Sequence, residues 1–283
     1  MGRSKGAKVL GRTLAGAAAL TVFLVAPYRP GRQKAKPFKK RNFAHRGLHT
    51  EDGKIPENSI AAFNAAADAG YGIELDVQLS SDGRVVVFHD ATLNRVCGVD
   101  SRVDEKTYAE LREISLGSSK QTIPLFIDVL KCIGGRVPLI VELKTGKHNR
   151  ELCRKTRDIL SSYSGPVCVE SFDPRIVCWF RLHAPQYMRG QLSCPKEDYK
   201  PAYSDPVAFI LDPVAFILSN GLLNFLGRPN FIAYKIGPKG LLVRLTEFLG
   251  AVRACWTSRA VGVNENGNDM VIFEYYHPPL TFK

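Results

Sequence analysis

The chain has 283 residues, 45% of them apolar and 23% charged, which is enough for one domain with a sizeable core and excludes disorder as its overall state. Its net charge of +12 is local: residues 1–41 hold 11 of the 39 Lys and Arg and no Asp or Glu, leaving 28 basic against 27 acidic residues. The remainder therefore lacks the basic excess that nucleic-acid binding needs, and seven cysteines without a CxxC pair point to reduced thiols in a cytosolic domain, not to a disulfide framework.

At the front, Arg3, Lys5, Lys8 and Arg12 precede an Ala- and Leu-rich run over residues 13–26, and seven more basic residues follow between positions 29 and 41. Extended by residues 9–11, the run approaches the roughly 20 residues that a bilayer crossing takes. Pro27 directly after Ala26 makes a poor cleavage site, so an uncleaved membrane anchor is expected. The heavier positive charge on its C-terminal side would keep the downstream domain cytoplasmic. The alternative is a basic leader that touches anionic lipid without crossing. Residues 1–41 are thus expected to be a basic and apolar N-terminal segment, and residues 42–283 one domain.

From residue 42 strands and helices alternate. Residues 42–47 (NFAHRG) read as a short strand, and Asn58 or Ser59 caps a helix that carries Ile60, Phe63 and Ala67 on one face and ends at Gly70. In GIELDVQL, residues 72–79, apolar and polar side chains alternate as a strand requires; after the Asp82-Gly83 turn, residues 85–88 form another strand that leads to His89 and Asp90. Helices are expected near residues 105–113 and 124–132. Further strands are expected at 138–144, 167–172, 188–193, 231–235 and 252–257, with helices near 151–163, 174–182, 213–226 and 239–249. Eight strands with helical connections close most naturally into an α/β (βα)8 barrel, the TIM barrel, whose active sites gather at the C-terminal strand ends. The heptapeptide DPVAFIL occurs twice between positions 205 and 218; Pro213 should break a continuous helix there, and the repeat reads either as an absorbed duplication or as an apolar lid that meets lipid.

The polar residues follow the barrel rule. His45 and Arg46, Glu74 and Asp76, His89 and Asp90, Glu142 and Lys144, Glu170 and Ser171, Lys235 and Trp256 all fall at or near strand ends. Glu74 and Asp76 lie on one face, and carboxylates crowded among apolar residues need a compensating cation. With Glu142 they offer three hard oxygen ligands, suited to Mg2+ or Ca2+. Taken singly, Glu142 could instead pair with Lys144, and the 74/76 pair with Arg46. His45 and His89 suit general base and general acid, and Arg46 and Lys144 suit an anionic phosphoryl group.

The blocks AHRG, PENS, GIELDVQLSSDGRVVVFHD and VELK, in this order, resemble the glycerophosphodiester phosphodiesterase family over most of residues 43–280. The resemblance implies a (βα)8 barrel that hydrolyses glycerophosphodiesters to sn-glycerol 3-phosphate and an alcohol with a divalent metal. By motif position it assigns acid/base work to His45 and His89, metal binding to Glu74, Asp76 and Glu142, and phosphate to Arg46 and Lys144. Glu57, Asn58 and Asp90 would stand behind these groups. Trp256 and Thr257 match the family's last strand, which makes Trp256 a candidate for substrate contact, and VIFE at 271–274 matches its closing segment. Between them, SRAVGVNENGND reads as a weak helix where the family has a better one. Two other functions compete. One is a lysophospholipase D-type enzyme acting on lysophospholipids at the membrane, motivated by the anchor and the apolar repeat. The other is a membrane-tethered binding module that keeps the pocket without turnover.

Overall fold

The computed structural model describes residues 3–199, 208–262 and 264–283. Its strands are β1 (Arg41–Ala44), β2 (Gly72–Leu79), β3 (Val85–Val87), β4 (Leu139–Leu143), β5 (Val167–Ser171), β6 (Met188–Ser193), β7 (Phe231–Lys235), β8 (Val252–Ser258) and β9 (Met270–Phe273). The sheet order is β1-β9-β8-β7-β6-β5-β4-β2, and β1 also pairs in parallel with β2, so eight parallel strands close on themselves as the expected (βα)8 barrel. The expected membership of the ring needs one correction. β3 is not part of it: it folds back antiparallel on β2, with Val77 opposite Val87. The eighth place goes to β9, which sequence reading left outside the strand count. Three valines after an Asp-Gly turn make a hairpin arm, and an arm that returns antiparallel cannot continue a parallel ring.

Strand alternation explains the layers. Ile73, Leu75 and Val77 of β2, Leu139, Val141 and Leu143 of β4, and Val169 of β5 point outward, into a core shared with the surrounding helices through Phe63, Phe126, Ile133 and Phe180. The intervening residues point inward. Near the N-terminal strand ends these are apolar: Phe43, Ile140, Cys168, Met188 and Phe231 fill the barrel floor. Gly72 and Gly190 leave room for the rings, since a Cβ at either would overlap Phe43 or Phe231. Toward the C-terminal ends the inward residues are acidic.

The N-terminal segment meets this floor. Helix α1 (Arg3–Val25) includes the stretch Lys8–Val25, long and apolar enough to cross a membrane, with mean hydropathy 1.5 and only 6% of it buried. Its last turn docks on the barrel. Val25 is buried, and the carbonyls that a helix end leaves unpaired accept from Arg228 (to Phe23 O, 2.8 Å, and Ala26 O, 3.0 Å) and from Thr246 Oγ1 (to Val25 O, 3.2 Å). Beyond it, Asn230 Nδ2 donates to Tyr28 O, and Arg29 Nε to Leu249 O. The short helix α2 (Arg32–Ala35) and the turn after it push Ala35 and Phe38 into the floor, where the Phe38 ring lies nearly parallel to that of Phe43 at 6.5 Å. Residues 28–40, grouped by sequence with the tail, thus line the underside of the barrel.

Two other expectations change. A single helix, Ala208–Ser219, runs through Pro213, which is exposed while Ala215 is buried. The start of the first DPVAFIL copy, residues 205–207, lies outside the described residues. Between β8 and β9 the described residues form turns and no helix; Gly262 and Gly267 adopt positive φ, which suits turns.

Candidate active site

The acidic rim follows from register. Asp76 of β2 lies opposite Glu142 of β4, and Glu142 lies opposite Glu170 of β5. Three neighbouring strands therefore bring carboxylates to one level, and Glu74 sits two residues below Asp76 on the same inward face. Oxygens of Glu74, Asp76 and Glu142 all lie within 4.8 Å of one another, and the three residues are 3%, 1% and 8% exposed. Each pairing that could have explained them singly also exists: Lys144 Nζ is 2.7 Å from Glu142 and 3.4 Å from Asp76, while Arg46 Nε is 3.5 Å from Asp76 and the Arg46 backbone N–H donates to Glu74 (3.0 Å).

The pairings do not balance the charge. Four carboxylates, including Glu170, face two cations, leaving a deficit equal to one divalent ion. Burial pushes the Glu74 carboxyl well above its ordinary range, and repulsion from Asp76, Glu142 and Glu170 adds to that. Glu170 is raised for the same reasons, and Glu142 too, although Lys144 opposes it. Asp76 moves the other way, because Lys144, His89, Arg46 and the Asn58 amide outweigh its burial. Buried Asp76 Oδ1 and Glu170 Oε2 accept no hydrogen bond from the described residues. Oxygen-only donors, surplus negative charge and two buried oxygens without a hydrogen bond fit a hard divalent metal at this position.

Each histidine is held by a carboxylate. His45 Nδ1 is 2.6 Å from Glu274 Oε2, and His89 Nδ1 is 2.6 Å from Asp90 Oδ1. Burial alone would raise the Glu274 carboxyl, but the bond to His45 and the pair with Arg259 (2.6 Å) bring it down to about 2. An ionised carboxylate only accepts, so Nδ1 of His45 carries the proton and its Nε2 lone pair remains, 4.0 Å from Glu74. Burial lowers the His45 pKa below its ordinary value, against the pull of Glu274. His89 reaches the same rim because β3 turns back: the Phe88 N–H donates to Asp76 O (3.0 Å), which sets the next residue over the end of β2.

The remaining PENS residues brace these groups. Ser59 caps helix α3 (Ile60–Asp68) by accepting from the Ala62 N–H, while Asn58 Nδ2 donates to Asp76 Oδ2 (2.9 Å). Glu57 accepts from Arg46 and Arg95, and Arg95 also donates to Asp90 Oδ2 (2.6 Å), which ties the PENS turn to the His89 loop.

Seven of the sequence candidates, His45, Arg46, Glu57, Glu74, His89, Glu142 and Trp256, line a polar mouth of about 280 Å3. Asn58, Asp76, Asp90 and Lys144 bond to that lining from behind. Lys235 lies apart: it pairs with Asp198 (3.0 Å) at the edge of a second, mainly apolar chamber of about 790 Å3. Phe172 and Trp256, edge to face at 5.7 Å, belong to both cavities and form the wall between them. Sequence reading missed Glu274, Arg259 and Arg95, and placed Glu170 at the mouth without a task. Glu274 directly follows the apolar strand β9, a usable signal; the two arginines sit in connections without periodicity.

A sequence profile of the Glycerophosphoryl diester phosphodiesterase family matches residues 45–274. A glycerophosphodiester phosphodiesterase of Bacillus altitudinis is 39% identical over 109 residues, 36% of this chain and 43% of that protein, so the chain spans less than half the length of that relative. A lysophospholipase D of Rattus norvegicus is 27% identical over 247 residues, 81% of this chain and 71% of the relative. Among solved structures, an Oleispira antarctica phosphodiesterase in complex with sn-glycerol-3-phosphate superposes with a TM-score of 0.66 at 22% identity, covering 84% of this chain and 94% of the other.

Proposed function

The chain belongs to the glycerophosphoryl diester phosphodiesterase family, and from that premise we propose that its mouth hydrolyses glycerophosphodiesters to sn-glycerol 3-phosphate and an alcohol. The observation that carries this is the convergence of Glu74, Asp76 and Glu142 within 4.8 Å beside two carboxylate-anchored histidines. These three carboxylates would hold Mg2+ or Ca2+, which when bound supplies positive charge against the phosphoryl oxygens. Arg46 and Lys144 at the same rim add fixed positive charge for the phosphate. His45, kept neutral by burial, has the form of a general base: its free Nε2 takes the proton of the attacking hydroxyl, from water or from the glycerol 2-position. His89, nearer solvent and beside Asp90, donates a proton to the leaving alkoxide. Glu274 and Asp90 fix the tautomer of each ring. Trp256 bounds the substrate on the far side.

The test is release of sn-glycerol 3-phosphate from a panel of glycerophosphodiesters, with and without chelator. His45→Ala and His89→Ala should each abolish turnover with the thermal unfolding midpoint preserved, and wild-type-like activity in either removes that residue from the mechanism. If the wild type shows no metal-dependent release from any diester, the protein is the non-catalytic binding module.

A second reading is favoured by one feature. The chamber behind Phe172 and Trp256 is lined by Val214, Leu218, Leu223 and Leu226, and has the volume and apolar lining of a ligand site. Phe225, beside Leu226, packs against Phe23 of α1 at 5.8 Å, so chamber and apolar helix share one flank of the barrel. A diester with one lipid tail would place its phosphate in the polar mouth and its chain in this chamber, which is lysophospholipase D-type hydrolysis. In both readings α1 serves as a membrane tether, and the basic residues behind it hold the barrel on the cytoplasmic side.

A further inference from the structure

Beside the carboxylate trio lies a second group of metal-binding side chains with a different chemistry. His49, in the turn after β1, is 8% exposed, and its Nε2 has no hydrogen-bond partner among the described residues. That nitrogen points at Glu274 Oε2, 3.8 Å away, while the ring edge rests on Tyr275 with centroids 5.0 Å apart. On the other side of the same oxygen is His45 Nδ1 at 2.6 Å. Arg259 occupies the opposite oxygen of Glu274, Oε1, which leaves Oε2 to the two imidazoles. Atoms of all three residues come within 4.8 Å of one another. A zinc ion with nitrogen and oxygen ligands at about 2.0–2.2 Å in tetrahedral geometry separates its ligands by about 3.3–3.6 Å. The two separations in the structure, 2.6 and 3.8 Å, stand on either side of that range.

We propose that His45, His49 and Glu274 form an inhibitory site for a zinc-class transition ion, separate from the hard-cation site of Glu74, Asp76 and Glu142. Two imidazole nitrogens and one carboxylate oxygen, with a place left for water, are a zinc donor set, whereas three carboxylates favour Mg2+ or Ca2+. The inhibition follows from the tautomer and rests on the role proposed for His45. In the free enzyme the ring proton sits on Nδ1, bonded to Glu274, and Nε2 carries the lone pair that accepts a proton. An ion bound to Nδ1 needs that lone pair, so the ring proton moves to Nε2, with no proton gained or lost overall. A protonated Nε2 cannot act as base. The orphaned Nε2 of His49 is the third ligand that makes such capture possible, and it has no task in the hydrolysis itself.

The test uses the full chain with excess Mg2+ and Co2+ as a visible probe. Wild type should bind one Co2+ with the intense visible absorption of a low-coordinate nitrogen and oxygen site, and Zn2+ should displace it. His49→Gln should lose the band. So should His49→Phe, which keeps a ring against Tyr275 and covers the case in which the glutamine variant misfolds. Glu142→Gln should keep it. In assays, His49→Gln should retain basal turnover while the Zn2+ concentration for half inhibition rises by roughly tenfold or more. A Co2+ spectrum unchanged by either His49 substitution, or equal Zn2+ sensitivity of wild type and His49→Gln, overturns the proposal. A band that depends on His49 in a protein without diesterase activity would keep the ion site and reject the catalytic reading, so the two failures are separable.

Discussion

His45 and His89 are chemically similar but are held by partners of very different visibility. Asp90 follows His89 directly, so that pair can be read from the sequence; Glu274 lies 229 positions from His45 and becomes its partner only because β9 closes the ring beside β1. In the proposed mechanism Glu274 acts as a positioning residue, and its removal should affect turnover more than binding. Glu274→Gln is expected to lower kcat by roughly 100-fold with little change in KM. The sign of the pH effect follows from the contacts: Glu274 raises the His45 pKa, so its loss lowers it further and moves the acidic limb of the kcat/KM profile to lower pH. Steady-state kinetics from acidic to neutral pH measures both effects, and an equal rise in KM would place Glu274 in substrate binding instead. The trio was more legible than Glu274, because two of its members share a strand and the third ends the apolar run LIV in VELK.

Among elements, the correct total of eight strands concealed an exchange. Val85–Val87 and Met270–Phe273 are both short apolar runs, and periodicity cannot say which one joins a parallel ring. The two-residue turn ahead of β3 points to antiparallel return, but the pull of GRVVVFHD as a strand is the same in either place. The floor was less legible still. Residues 31–40 are rich in Lys and Arg and read as solvated tail, yet Ala35 and Phe38 are buried while the charged side chains around them stay at the surface. A chain starting at Lys40 should therefore be less stable than one starting at Pro27 by about 3 kcal/mol or more, the usual cost of emptying a buried phenylalanine site. Urea unfolding of the two truncations measures the difference, and equal midpoints would show that residues 27–39 contribute nothing to the floor.

In the whole molecule, the polar mouth and the apolar chamber share the wall of Phe172 and Trp256, and Phe225, next to the chamber residue Leu226, packs on Phe23 of α1. Lipid-tailed substrate would use both cavities, whereas a short head-group diester would use the mouth alone. Rates on lysophosphatidylcholine and glycerophosphocholine separate these cases, and Leu218→Trp, which narrows the chamber, should slow the first by roughly tenfold or more and leave the second unchanged. Equal effects on both substrates would remove the chamber from catalysis. Local pattern pointed to the barrel class and put Glu74, Asp76, Glu142 and both histidines near strand ends, because alternation along a strand and the residues at its end are read within a few positions. Which strand closes the ring, the sealing of the floor by the basic segment, and the meeting of Glu274 with His45 and His49 emerge only on folding. Those contacts span tens to hundreds of residues, and no local periodicity records a partner that the chain reaches only by folding.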